Sequence, residues 1–296
     1  MDHPTWAEGN LAEGLGGTHG EGLEEVFSAA HTLRVRLFTP VSGATTGKNL
    51  RKRVTPDDSP TLKGVSALQI GTHEIDAVLF DAGGIFVIPD PNVLAPLLSY
   101  YGASSELPAY HRAHFWAMAA KSAAQSGESD WSAYNLAYVE SVGVPAHDRA
   151  EAARALDRSR SAYIWRWPLQ DSVQALRGLY DRGVPVGVVS NASGQIEDIL
   201  SRSGVCQVGP GAGVPVRIVV DSFLVGVAKP DPRIFDFGLA VLTDIDRSRV
   251  AYVGDSVTMD IAGARNAGLV PVLLDPYDDH VGSDFYRVRS LLDLLP

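Results

Sequence analysis

Five short β-prone runs alternate with longer amphipathic stretches through most of the chain, and nothing constrains the fold more than this alternation. The runs are Ala77 to Phe80, Val186 to Val189, Val216 to Val220, Ser248 to Val253 and Val270 to Leu274. The first carries no charge and reads as a strand buried on both faces. Between the runs lie helical patterns. Asp171 to Arg182, for example, sets Val173, Leu176 and Leu179 at helical spacing and stops at Gly183. Strands of this length separated by helices predict an α/β fold, a parallel sheet of about five strands with helices on both faces. A short helix is expected near Val288 to Leu295.

One stretch breaks the alternation. After Ile85 to Ile88 the prolines at 89 and 91 mark a turn out of the sheet, and residues 92–165 then read as helical throughout. Val93 to Tyr101 ends at Gly102. Tyr110 to Ala124 carries His111, His114 and Trp116. Ser129 caps a third helix bearing Trp131, Tyr134 and Tyr138, and Ala150 to Trp165 follows Asp148 as its cap. The expected organisation is an α/β core from 73–91 and 166–296 with a helical cap domain, 92–165, inserted after the first strand. Residues 1–72 differ from both: glycine and acidic residues crowd the beginning, a basic cluster follows at Lys48, Arg51, Lys52 and Arg53, and Leu33 to Phe38 alternates like a strand without a partner. This extension is expected to be poorly ordered. Its segment Gly43 to Asn49 falls one spacer short of a phosphate-binding loop and has Asn where the hydroxyl should stand.

Composition limits the partners. A formal charge of -10 argues against nucleic acid. It leaves room for small phosphorylated substrates, because a bound cation reverses the sign locally. No apolar run is long enough to span a membrane, and Met1 to Thr5 lacks the character of a signal peptide. The single cysteine, Cys206, forms no intramolecular disulfide, which suits a reducing cytoplasm. Nothing in the sequence fixes an oligomeric state.

The chemistry sits where the runs end. Asp81 follows the first, with Gly83 and Gly84 allowing a sharp turn and close approach to a ligand. Ser190 and Asn191 follow the second, Lys229 lies in a loop directly before Pro230 and Pro232, and Asp255 with Asp260 follows the fourth. In a parallel sheet these carboxyl ends lie on one edge and converge. Together they offer a nucleophilic carboxylate, a hydroxyl, a cation and an acid pair, a set suited to a phosphoryl group and Mg²⁺.

FDAGG, VVSN, GVAKPDPRIF and GDSVTMD, in this order and with a helical insert after the first, resemble the haloacid dehalogenase-like hydrolase superfamily over residues 73–296. The resemblance implies a Rossmann-like core with a helical cap, and an Mg²⁺-dependent phosphatase acting on a small phosphorylated metabolite. In that reading Asp81 attacks phosphorus and forms an aspartyl-phosphate. Ser190 and Asn191 bind the phosphoryl group and Lys229 neutralises its charge. Asp81, the Gly83 carbonyl and Asp255 hold the metal, and Asp260 supports its water shell or orients Lys229.

The sequence departs from the family pattern at one point. Most of its phosphatases carry a second aspartate two residues after the nucleophile, which protonates the leaving group; here that residue is Gly83. Three readings follow: a substrate with a good leaving group, a proton from the lid with His111 or His114 as donors, or a weakly active protein that binds phosphate or a partner. The family's dehalogenases use the same aspartate without metal, but lack the acids at the positions of Asp255 and Asp260. Lys121, the one lysine of the lid, is expected to be solvated, and the lid aromatics to form its core.

Overall fold

The computed structural model describes residues 68–295. The expected strand at Leu33 to Phe38 and the basic cluster lie outside the described residues. Where the description begins, residues 68–72 depart from the expectation of poor order. Strand β1 (Leu68–Ile70) pairs antiparallel with β2 (His73–Ile75), and Leu68 and Ile70 are buried in the main core.

β3 (Ala77–Phe80) is the axis of the molecule. All four of its side chains are buried, which at roughly 1.5–3 kcal/mol for each large apolar side chain makes it a main source of stability. Its side chains alternate as the strand period requires. Val78 and Phe80 enter one core and Ala77 and Leu79 the other. Two further strands are introduced by the chain's excursion from the sheet. β4 (Val87–Pro89) leaves, and β5 (Trp165–Pro168) returns and pairs antiparallel with it.

Between them lie α1 (Pro91–Ser99), α2 (Leu107–Ala123), α3 (Ser132–Ser141) and α4 (Arg149–Arg158). This helical block has a core of its own, in which Leu94, Leu98, Tyr110, Tyr134, Tyr138 and Leu156 are buried. Its boundaries differ from the sequence expectation in three places. α3 begins at Ser132, where Asp130 Oδ1 accepts from the Ser132 N–H at 3.0 Å, so Asp130 takes the role expected of Ser129. Asp148 stands at the N-cap position of α4 but its side chain makes no capping bond. α4 stops at Arg158, and Trp165 lies in β5, because pairing with β4 overrides the helical spacing of the segment.

The chain then alternates: α5 (Gln170–Asp181), β6 (Val186–Ser190), α6 (Ile196–Arg202), β7 (Cys206–Val208), β8 (Val214–Val216), β9 (Val219–Asp221), α7 (Ser222–Val225), α8 (Arg233–Leu239), β10 (Val250–Gly254), α9 (Ala262–Asn266), β11 (Val270–Leu274) and β12 (Tyr286–Val288). Six strands form one parallel sheet in the order β12-β11-β10-β3-β6-β9. α5 and α6 cover one face through Leu176, Leu179 and Leu200, and α8 and α9 the other through Ile234, Phe235 and Ala264.

Two expectations are corrected here. Val216 to Val220 is split, because β8 pairs with β7 while β9 joins the main sheet. Beyond Leu274 the sheet gains an unexpected sixth strand, β12, and the short helix expected near Val288 to Leu295 is a single 3₁₀ turn over Leu291–Leu294. β12 has only half-buried residues, so it lacks the apolar run that marks the other strands. No helix among the described residues is long and apolar enough to cross a membrane.

Candidate active site

Strand order builds the site. The chain moves from β3 to β6 on one side and reaches β10 on the other, so the order reverses between β3 and β10, where open α/β sheets leave a crevice at their carboxyl edge. Asp81 follows β3 and Asp255 follows β10 across that crevice. Ser190 ends β6 and its neighbour Asn191 follows.

Lys229 is the hub. Its ammonium, almost fully buried, lies 3.0 Å from Asp81 Oδ1 and donates to Asp260 Oδ1 at 2.7 Å and to the Tyr252 hydroxyl at 2.8 Å. The Tyr252 hydroxyl in turn donates to the Val189 carbonyl at 2.8 Å. Burial alone would depress the lysine's pKa. The charges of Asp260 and Asp81 outweigh it and hold the ammonium above the usual lysine range. Asn191 fixes the backbone of the same residue, accepting from its N–H at 2.8 Å and donating to its carbonyl at 3.0 Å.

Asp260 is fully engaged. Its Oδ2 accepts from the backbone N–H groups of Asp255 at 3.1 Å and Ser256 at 2.9 Å, while Oδ1 receives Lys229. A five-residue π turn, Val257–Ile261, makes this fold-back feasible. So does Gly254, where a Cβ would lie 2.2 Å from Asp260 Cγ. Asp260 therefore braces Lys229 and the Asp255 loop, with three N–H donors on its two oxygens. Asp81 and Asp255 each keep an oxygen that no protein N–H reaches among the described residues, and the same is true of the Gly83 carbonyl.

The three carboxylates bring oxygens within 4.8 Å of one another. Burial pushes the Asp81 carboxyl up to about 7; Lys229 pulls against this, and the neighbouring charges of Asp260 and Asp255 add to it. Asp255 is pushed well above the carboxylate range by burial and then by Asp260. Buried carboxylates with free oxygens and raised pKa values fit a hard divalent cation, whose charge reverses both penalties.

The helical block enters the site through residues that sequence reasoning misread. His114, one of the two lid histidines considered as proton donors, is fully buried, 2.9 Å from Asp255 Oδ2 through Nε2 and 3.0 Å from the Tyr134 hydroxyl through Nδ1. Burial lowers its pKa to about 3, so the ring is neutral and is no proton donor to a substrate. His111 is turned to the Tyr277 hydroxyl at 2.7 Å. Lys121 is not solvated: it is buried and donates to the carbonyls of Gly127, Glu128 and Asp130 at 2.8, 3.2 and 2.6 Å. Of the aromatics, Tyr134 and Tyr138 are core, Trp116 is largely exposed, and Trp131 and Trp165 face the site.

A cavity of about 390 Å³ joins these parts. Asp81, Gly83, Ser190, Asn191, Lys229, Asp255 and Asp260 all line it, together with Trp131, Trp165, Glu128 and Arg160 from the block and its return strand. Its volume falls at the small end of the roughly 300–1,000 Å³ of ligand pockets, which suits a metabolite rather than a polymer. Three residues of the site escaped the sequence reading, Tyr252, Trp165 and Glu128, and so did the contact of His114 with Asp255. Tyr252 alone left a signal, as the one hydroxyl-bearing aromatic in an otherwise aliphatic strand.

Residues 75–268 match the family model described as haloacid dehalogenase-like hydrolase. The haloacid dehalogenase-like hydrolase domain-containing protein 3 of Bos taurus is 35% identical over 138 residues, 44% of this chain and 51% of that protein. A phosphoserine phosphatase of Thermus thermophilus is 32% identical over 177 residues, 58% of this chain and 66% of its own length. The chain spans about half the length of the first curated relatives it matches. A solved phosphatase from Thermococcus onnurineus superposes with a TM-score of 0.47 at 22% identity, over 74% of this chain and 96% of that one.

Proposed function

The chain belongs to the haloacid dehalogenase-like hydrolases, and from that footing we propose that it is an Mg²⁺-dependent phosphohydrolase of small phosphorylated metabolites, with Asp81 as nucleophile. One observation carries the reading: Asp81, Asp255 and Asp260 converge around the buried Lys229 at the sheet's carboxyl edge. We read residues 92–165 as a cap over a core formed by 73–91 and 166–296, and place the protein in the cytoplasm, where the buried Cys206 stays a thiol. The extension of 1–72 is given no role.

Asp81 is the attacking residue: its Oδ1 accepts from the Ala82 N–H at 2.7 Å and lies 3.0 Å from Lys229 Nζ, which fixes the carboxylate's orientation. Lys229 draws the phosphoryl oxygens in and stabilises charge developing on them. Ser190 lies close enough to Asp81 to help keep it ionised, and we assign its hydroxyl, with Asn191, to the phosphoryl group. Asp81, Asp255 and the Gly83 carbonyl would hold Mg²⁺, with Asp260 bracing them from behind. The ion when bound shields the attacking carboxylate from an anionic substrate. Attack breaks the ester bond and leaves an aspartyl-phosphate, which water then hydrolyses.

Dehalogenation is the second reading of an aspartate at this position. It has no use for the buried acid pair after β10, and that pair favours phosphoryl transfer. The test is phosphate release from acyl phosphates, sugar 1-phosphates and alkyl monoesters, with and without Mg²⁺, beside an Asp81→Asn control. Metal-dependent release that vanishes in the control is expected. Chloride release from 2-haloacids without metal, and no phosphate release, would replace this reading by the second.

A further inference from the structure

Building on the phosphohydrolase reading, we propose that Glu128, on the loop between α2 and α3, is the general acid and base of the reaction. The usual position for that group cannot supply it. Residue 83 is glycine, and a Cβ there would lie 3.2 and 3.3 Å from ring carbons of Trp165, so an indole fills the space. Neither lid histidine lines the cavity, one being held by Asp255 and Tyr134 and the other by Tyr277. Among the described residues that line it, Glu128 is the one carboxylate contributed by the helical block.

The loop that carries Glu128 is built with unusual care. Lys121 commits three hydrogen bonds to its carbonyls and lies almost fully buried to do so. Asp130 ties the loop's ends by accepting from the Ser126 hydroxyl at 3.1 Å and the Ser132 N–H at 3.0 Å. Burying a lysine ammonium is expensive, so the arrangement implies that the position of this loop matters. The carboxyl it presents reaches across to the core, where Glu128 Oε2 accepts from Asn191 Nδ2 at 3.0 Å. Asn191 also clamps the backbone of Lys229 and adjoins Ser190. Glu128 thus hangs from the same bracket that fixes the catalytic lysine, with Oε1 free of donors among the described residues.

The proton balance closes. As an Asp81 oxygen bonds to phosphorus, the ester P–O bond breaks and its electron pair goes to the leaving oxygen, which takes the proton of the Glu128 carboxyl. The resulting carboxylate then takes a proton from water as that water attacks phosphorus. The bond to Asp81 breaks, phosphate leaves, and Glu128 is again protonated.

The test uses the full chain with Mg²⁺ and two probes, p-nitrophenyl phosphate and glycerol phosphate. The phenolate departs without a proton; the alkoxide does not. In Glu128→Gln, steady-state turnover of both is expected to fall by about 10²- to 10⁴-fold, the usual worth of general acid–base catalysis. p-Nitrophenol, however, appears in a burst stoichiometric with enzyme, because only the second half-reaction lacks its base. Glycerol phosphate gives no burst. Uniform loss without a burst, as a structural defect produces, overturns the proposal, and so does unchanged turnover. A wild type with no Asp81-dependent release from either probe removes the phosphohydrolase reading itself, and this assignment falls with it.

Discussion

Replacing His114 by alanine tests whether the helical block and the acid site are one physical unit. The imidazole is fully buried and both nitrogens are used, Nε2 at 2.9 Å from Asp255 and Nδ1 at 3.0 Å from the Tyr134 hydroxyl. One proton is shared between Nε2 and Asp255 Oδ2, and one between Nδ1 and the Tyr134 hydroxyl, so the ring satisfies both buried partners. Truncation leaves a buried hydroxyl and a buried carboxylate oxygen without partners. At about 1–3 kcal/mol for each orphaned group, His114→Ala costs about 2–6 kcal/mol before any cavity is counted. For a domain of this size each kcal/mol lowers Tm by roughly 2–4 °C. Urea denaturation at neutral pH is the assay. His114→Gln, whose amide can still donate to Asp255, should recover about half of the loss. A loss below about 1 kcal/mol for the alanine variant, with the glutamine variant no better, would refute the claim that this contact joins block and core.

Two further outcomes follow from the site. Asp81 titrates near 7 in the folded chain against 3.8 as a free side chain, so the metal-free fold binds the extra proton; its contribution to stability is present below pH 4 and is lost as pH rises through 7. Stability of the metal-free protein from this group should therefore fall between pH 5 and 8, and the gain on adding Mg²⁺ should be larger at pH 8 than at pH 5, as thermal melts with and without Mg²⁺ can measure. Gly83→Asp should not restore a conventional acid: the new Cβ presses on Trp165 at 3.2 Å. Overpacking of this kind costs typically 1–3 kcal/mol, and steady-state phosphate release should show no gain, whereas a rise in turnover would show that the indole yields.

The sheet and the convergence of Asp81, Lys229, Asp255 and Asp260 at its carboxyl edge were legible because their signals are local. An uncharged buried run ending in Asp81, or Gly254-Asp255-Ser256 after β10, states both a strand and what stands at its end. Family membership likewise rested on four motifs in order. What stayed hidden depends on contacts between segments far apart in the chain. His114 and Asp255 are 141 residues apart, and no periodicity announces that a histidine on a weakly amphipathic helix will be drawn inward by a carboxylate and a tyrosine. Lys121 was read as solvated because lysines usually are; its burial follows from three carbonyls of a loop that folds back on it. β12 was missed for the opposite reason: as an edge strand with half-buried residues it has little hydrophobic pattern to read.

The ribbon of β4 and β5 has a consequence for how such a molecule changes over evolutionary time. The outgoing and returning strands are paired with each other, so the helical block is joined to the core chain through one two-stranded stalk instead of two independent tethers. A different insert that begins and ends on strands that zip together can enter at the same point, and only the side chains that met the old block, such as Asp255 and Asn191, need new partners. The stalk also carries Trp165, whose ring lies against Gly83. Exchanging the insert together with its stalk would thus change the company that Asp81 keeps, so new specificity and altered chemistry can be inherited in one step.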